Sequence, residues 1–345
     1  MTNSNVALGM VVVLCALGWN AQIGYSQEKS APAGVQVHMV IAAESVSYNK
    51  EGATLRDSDI RVKQGKNALK VNHLIPARGD NAALQLFVLI DDTCDTSLGI
   101  NLNELRDFVN ALPATTVIGI GYMSNANVQI LQNFTADHAL AAKAIRLPRG
   151  NLSAMDSPYL SLISLVKGWP EGKVRREVLM VTDGIDRFRG WNSSPSQSAL
   201  SNGGRTRGMP PPIRPIGGTN GMATISVDAN PASLASQRAG VIVHSIYATG
   251  VGRFGRNAWE AQLGQSGIAK IADETGGEYY ALGTLNPVSF KPYLDRLQKV
   301  LDNQYYLVFE ATPKKKAELQ RVKISTEVPD AEIAAADNVW VPAAK

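Results

Sequence analysis

The stretch that most constrains what this chain can fold into is Leu84–Ser97, LQLFVLIDDTCDTS. An apolar run from Leu84 to Ile90 stops abruptly at Asp91 and Asp92, with Thr93 and Asp95 close behind. A run this short and this apolar reads as a strand buried on both faces, as at the centre of a parallel sheet. Open parallel sheets hold their ligand crevice just beyond the carboxyl ends of such strands. Oxygen side chains delivered there suit a hard cation such as Mg2+. Val178–Thr182, VLMVT, is a second strand of the same kind and ends in Asp183 and Gly184. Two buried strands, each with an Asp at its exit, predict one shared site.

The flanking segments carry an α/β rhythm. Leu102–Leu112 has helical apolar spacing and is closed by Pro113. Thr116–Tyr122 reads as a buried strand, and Val128–Phe134 alternates like an edge strand. Thr135 is the expected cap of a helix over Ala136–Ile145, and Pro158–Lys167 is a further helix with Pro in its first turn. Beyond Asp183 the rhythm resumes with a helix over Pro231–Ala239, stopped by Gly240, and a strand over Val241–Tyr247. A helix over Asn257–Glu274, a short strand Glu278–Leu282 and an amphipathic helix Phe290–Leu301 complete it. The expected fold is α/β, a doubly wound, mostly parallel sheet flanked by helices. Short alternating runs in Val35–Pro76, and again in Gln304–Thr312, Leu319–Val328 and Val339–Pro342, are expected to pair as one small β module built from the N- and C-terminal segments.

The remaining features set limits. Across 345 residues the net charge is only +4, which makes no case for nucleic acid. Residues 1–26 hold no charged side chain, and Val6–Trp19 is an apolar core of signal-peptide length followed by Gly24-Tyr25-Ser26. A buried N-terminal helix is the competing reading. The expected product is exported, periplasmic or extracellular, with no membrane span after signal cleavage. Of the two cysteines, Cys15 falls in that segment, which leaves Cys94 as a lone thiol beside carboxylates, a poor nucleophile. The four histidines share no zinc-ligand spacing. The expected organisation is a signal peptide (1–26), a linker and small β module (27–82), the α/β domain (83–312) and a C-terminal β segment (313–345). Within the domain, 187–227 is rich in Gly, Pro and Arg and is expected as a flexible basic insertion, either a solvated excursion or an arm for an acidic partner. Arg78-Gly79-Asp80 is a short motif that chance supplies freely.

At the two Asp-bearing loops the sequence resembles the von Willebrand factor A (vWA) domain family. That family's metal-ion-dependent adhesion site has Asp-x-Ser-x-Ser after the first strand, a Thr on a second loop and an Asp after the fourth strand. Asp91 matches the first Asp, Thr93 replaces the first Ser, Asp95 stands in place of the second Ser, and Asp183 in VTDG matches the last Asp. Ser153, in GNLSAMDSP, is the candidate for the family Thr. VTDG, ETGG and the order of elements over 83–312 look most like exported bacterial vWFA-related proteins. The resemblance implies a degenerate site for Mg2+ (or Mn2+ or Ca2+) held by Asp91, Thr93, Asp95, Ser153 and Asp183. It also implies a protein partner that completes the coordination with an acidic side chain, and no catalysis. Two other readings stand beside it. One is a metal-free structural scaffold of the cell envelope; the other is a Mg-dependent phosphoryl-transfer enzyme, against which neither Asp-bearing loop offers a Lys or Arg to clamp phosphate. The oligomeric state is not legible.

Overall fold

The Leu84–Asp91 run is a strand whose alternate side chains enter two different cores. Leu84, Leu86, Val88 and Ile90 belong to one, Phe87 and Leu89 to the other. A strand apolar on both faces must be covered on both, and that requirement shapes the rest of the chain. The computed structural model describes residues 34–45, 54–170, 174–188, 228–251, 258–283 and 285–344.

In chain order the elements are β1 (Val35–Ser45), β2 (Ile60–Gln64), β3 (Asn67–Leu69), β4 (Val71–Pro76), β5 (Leu84–Asp91), α1 (Leu102–Ala111), β6 (Thr116–Ser124) and β7 (Asn127–Thr135). Then come α2 (His138–Ala144), α3 (Pro158–Lys167), β8 (Arg175–Thr182), α4 (Ala229–Ala239), β9 (Val241–Tyr247), α5 (Ala258–Thr275) and β10 (Tyr279–Tyr280). The chain closes with α6 (Lys291–Asp302), β11 (Gln304–Ala311), β12 (Glu318–Arg321), β13 (Lys323–Thr326), β14 (Ala331–Ala335) and β15 (Asn338–Val341).

The central sheet has the order β10-β9-β8-β5-β6-β7. Every pairing is parallel except that of the edge strand β7 with β6. Counted from β5, this is the doubly wound order 3-2-1-4-5-6. It is the α/β fold expected from the sequence. Helices α1, α2 and α6 cover one face through Leu102, Leu105, Ala141 and Leu294; α3, α4 and α5 cover the other through Tyr159, Leu162, Ala232 and Ile268. The order reverses between β5 and β8, which run side by side with Ile90 opposite Val181. Their two terminal aspartates therefore leave the sheet at its switch point, where open α/β sheets form their crevice.

The N- and C-terminal strands pair with each other as expected. A four-stranded antiparallel sheet, β14-β1-β11-β4, joins β1 to β11 from Val35↔Ala311 to Ala42↔Gln304. With β2, β13 and β15 it encloses a third core of Val37, Ile41, Ile60, Leu307 and Val341. Arg175, buried at the start of β8, ties this region to the central sheet by donating to Leu301 O, Gln304 Oε1 and Ala82 O at 2.7–2.8 Å. The described residues between Ala33 and Lys345 form one compact unit.

Local expectations shift in places. Thr135 closes β7 and does not cap the following helix. Asp137 does, its side chain accepting from Leu140 N at 2.9 Å, while Thr135 Oγ1 accepts from Asp137 N. The strand expected at Glu278–Leu282 contracts to Tyr279–Tyr280. Arg78 of the Arg-Gly-Asp triplet donates to Asp302 O and Asn303 Oδ1 and so belongs to the packing between strand and helix. The expected signal peptide and residues 189–227 of the insertion lie outside the described residues. Among the described residues no helix is long and apolar enough to cross a membrane.

Candidate functional site

Asp91 is buried at the end of β5, and both its oxygens are engaged. Oδ1 accepts from Thr93 N at 2.9 Å and Thr93 Oγ1 at 2.7 Å, and Oδ2 accepts from Thr182 Oγ1 at 2.7 Å. Burial, seconded by the charge of Asp183, pushes its carboxyl up to about 6, while the Thr182 bond, Arg187 and the Thr93 bond pull the other way. Thr182 Oγ1 in turn accepts from Gly184 N at 3.0 Å. One hydroxyl thus couples the two Asp-bearing loops.

Asp183 is fully buried and bound by its own loop. Ile185 N donates to Oδ1 at 2.9 Å, and Arg187 closes on the carboxylate with Nη2 at 2.7 Å from Oδ2 and Nη1 at 3.5 Å from Oδ1. The side chain of Arg187 is only 14% exposed. Its main chain is held too, because Arg187 N donates to Asp156 O at 2.9 Å. The turn leans against α5: Gly184 has φ +68, and a Cβ there would lie 2.3 Å from Gly264 O. A residue with a side chain is excluded on both counts.

Asp92 organises the next loop. It takes a bidentate pair from Arg146 at 2.7 and 3.0 Å and accepts from Arg149 N at 2.8 Å. Arg146 lies over the Tyr122 ring, 3.9 Å from its centroid. Asp156 plays the same part for the Ser153 loop, accepting from Ser153 N at 2.6 Å and from Asn125 N at 2.9 Å.

The five residues expected as metal ligands fall into three groups. Asp91 and Thr93 are bonded to each other, and Asp183 acts on Asp91 through its charge. Ser153 reaches this neighbourhood through Asp156, and its Oγ accepts from Met155 N at 3.1 Å. Asp95 turns to the next element, where it accepts from Ser97 N at 2.9 Å and caps the 3-10 turn Thr96–Ile100. Among the described residues no three His, Cys, Asp or Glu side chains are grouped to hold a metal ion. As arranged, this donor set does not fit a divalent cation, because the best-buried carboxylate already carries a guanidinium. Sequence reasoning placed Arg187 in the flexible basic insertion, as a solvated residue or part of an arm for an acidic partner, and passed over Asp156 and Thr182. The short spacing in DGIDR is the one signal that pointed to Arg187. Arg146, Arg149 and Arg187 also supply the cations that the loop sequences lacked, but each is paired with a carboxylate: Arg146 and, at 3.6 Å, the half-exposed Arg149 with Asp92, and Arg187 with Asp183.

No family model matches the sequence, and no curated protein does. Solved structures that resemble the fold include an aerotolerance-related membrane protein from Bacteroides fragilis, at 11% identity and TM-score 0.39, over 64% of this chain and 99% of that one. A von Willebrand factor type A protein from Catenulispora acidiphila matches at 9% identity and TM-score 0.39, over 92% and 76%. Three N-terminal domains of the type V pili tip protein Mfa5 from Porphyromonas gingivalis match at 12% identity and TM-score 0.37, over 80% and 56%.

Proposed function

We propose, on the premise of a vWA-like fold, that this chain is an exported protein-interaction module and that its docking surface is the face at the carboxyl ends of the central strands. One observation carries the reading. Exposed large apolar side chains gather on the loops of that face: Ile100 after β5, Leu147 and Leu152 on the loop before α3, Leu285 and Val288 after β10. Ile100 is 77% and Val288 85% exposed, on loops that are otherwise cross-linked. Asn286 donates to Ser97 Oγ, Asn101 donates to Val288 O, and a Cβ on Gly99 would meet Leu147 at 2.7 Å. Apolar groups held out on a rigid support favour docking, because little ordering entropy remains to be lost. Arg149, 54% exposed beside Asp92, adds a cation to the rim, which suits a partner with apolar and acidic groups. The arginines that phosphoryl transfer would need are bound to carboxylates, so the reading assigns no catalytic role.

A photo-crosslinking amino acid at Ile100 or Leu285, compared with one at Lys299 on α6, tests this in extracts of the source cells. The expected result is a discrete protein adduct at the two loop positions that disappears when Leu147→Glu is added. Equal labelling at Lys299, or none at the loops, would sink the reading.

A further inference from the structure

Asp91 and Asp183 leave adjacent strands at the sheet's switch point, are linked through Thr182 and Gly184, act on each other through their charges, and neither faces solvent. Like charges in so dry a place destabilise each other and call for a cation. Three sources exist: a proton, a metal ion, or a side chain of the same polypeptide. Here the polypeptide provides it. Arg187 binds Asp183 through both terminal nitrogens, donates from Nη1 to Ile185 O at 3.1 Å, and acts through its charge on Asp91 and Asp156. It is held from three sides: its own amide is on Asp156 O, its turn is pressed to Gly264 of α5, and Tyr159 Oη donates to Gly184 O at 2.7 Å. A tethered guanidinium needs no free ligand, so a metal ion must displace a group whose effective concentration the fold keeps high.

We propose that Arg187 is the resident cation of this site, so that the docking face works without a divalent metal, and that removing the guanidinium uncovers a site for Mg2+ or Mn2+. The inference rests on the docking reading for its biological use alone; the cation position is measured with no partner present.

The test is a Mn2+ titration, by calorimetry and by electron paramagnetic resonance, of the full chain as wild type, Arg187→Gln, Arg187→Ala and Arg187→Gln/Asp183→Asn. Gln keeps a hydrogen-bond donor for Asp183, which favours a folded variant. Wild type is expected to show no saturable binding at millimolar Mn2+. Arg187→Gln should bind at least about ten-fold more tightly and lose that binding when Asp183→Asn is added. A single-Arg variant that unfolds in chelator and refolds in Mn2+ counts in favour; one that Mn2+ does not rescue counts against. Wild type that binds Mn2+ as well as Arg187→Gln does, or a folded Arg187→Gln that binds none, overturns the proposal. Crosslinking that fails while the titration behaves as expected removes the docking reading and leaves the resident cation in place. The reverse pattern does the opposite.

Discussion

At the scale of single residues, the site is a set of buried charges that each need a partner, and their energetics follow. Arg187→Ala leaves the carboxylate of Asp183, wholly buried, without its cation. Removing one partner of such a pair costs about 3–5 kcal/mol, far more than a surface pair contributes. Urea melts at neutral pH should show that loss, and a change below about 1 kcal/mol would mean the pair is screened by water. Thr182→Val removes the donor to Asp91 Oδ2 and the acceptor for Gly184 N together. The expected cost is about 1–3 kcal/mol. Losing a bond that favours the ionised carboxylate should also move Asp91 further above its value of about 6, which carboxyl NMR titration reads directly. Asp91 was legible in sequence because a charge ends an apolar run. Arg187 was not, since a basic residue at the head of a Gly- and Pro-rich segment looks solvated until the turn that folds it back is known.

At the scale of elements, the close approach of α5 to the Asp183 turn decides whether the site is assembled. A Cβ at Gly264 would lie 2.2 Å from Asp183 O, so Gly264→Ala forces backbone apart. Two effects compete. Ala is favoured over Gly within a helix by about 1 kcal/mol, whereas overpacking against backbone costs about 1–3 kcal/mol or more. The clash is expected to win, with a net loss of stability in denaturant melts and a weakened Arg187–Asp183 pair. A Gly264→Ala variant more stable than wild type would show that helix and turn stand further apart in solution. The helices themselves were largely legible. Pro158–Lys167 is legible because Pro suits the first turn of a helix, and in the structure Ser157 caps it and Gly168 ends it. Around α2 the reading slipped by two residues: Thr135 and Asp137 are both good caps, and strand pairing claimed Thr135.

At the scale of the whole molecule, a polar joint links the β module to the central sheet. Arg296 of α6 reaches Glu278 beside β10 and Glu44 of β1, at 2.9 and 2.6 Å, while Glu278 N donates to His244 Nδ1 and His244 meets the buried Glu177. Burial, then the hydrogen bond and charge of Glu278, push Glu44 up to about 7, with Glu332 acting in the same sense and Arg296 in the opposite one. Glu278 itself is lowered, with Arg296 as its strongest favourable partner. The sign for Glu44 follows from a folded value above the unfolded one. Its contribution to stability is full below about pH 4.5 and is lost as pH rises through about 7. Glu44→Gln, which stays neutral, should therefore lose less stability than wild type between pH 5 and pH 8, by on the order of 1–3 kcal/mol. Parallel pH-dependent melts of the two proteins check this, and identical slopes would place Glu44 in water.

The sequence by itself determined the layered α/β plan and the two aspartates at its switch point. Periodicity, caps and the abrupt change from apolar run to carboxylate are local signals, carried by residues near each other in the chain. Tertiary structure alone decided what those aspartates bind. Arg187 stands only four residues beyond Asp183, but the turn that brings it back is held by Asp156 and α5. The hydroxyl of Thr182 reaches Asp91 from another strand and the backbone of Gly264 meets the Asp183 turn from a distant helix, and no local pattern records those meetings. The same holds for the joint of Glu44, Glu278 and Arg296, whose members lie far apart in sequence and share a charge balance only once the sheets have packed.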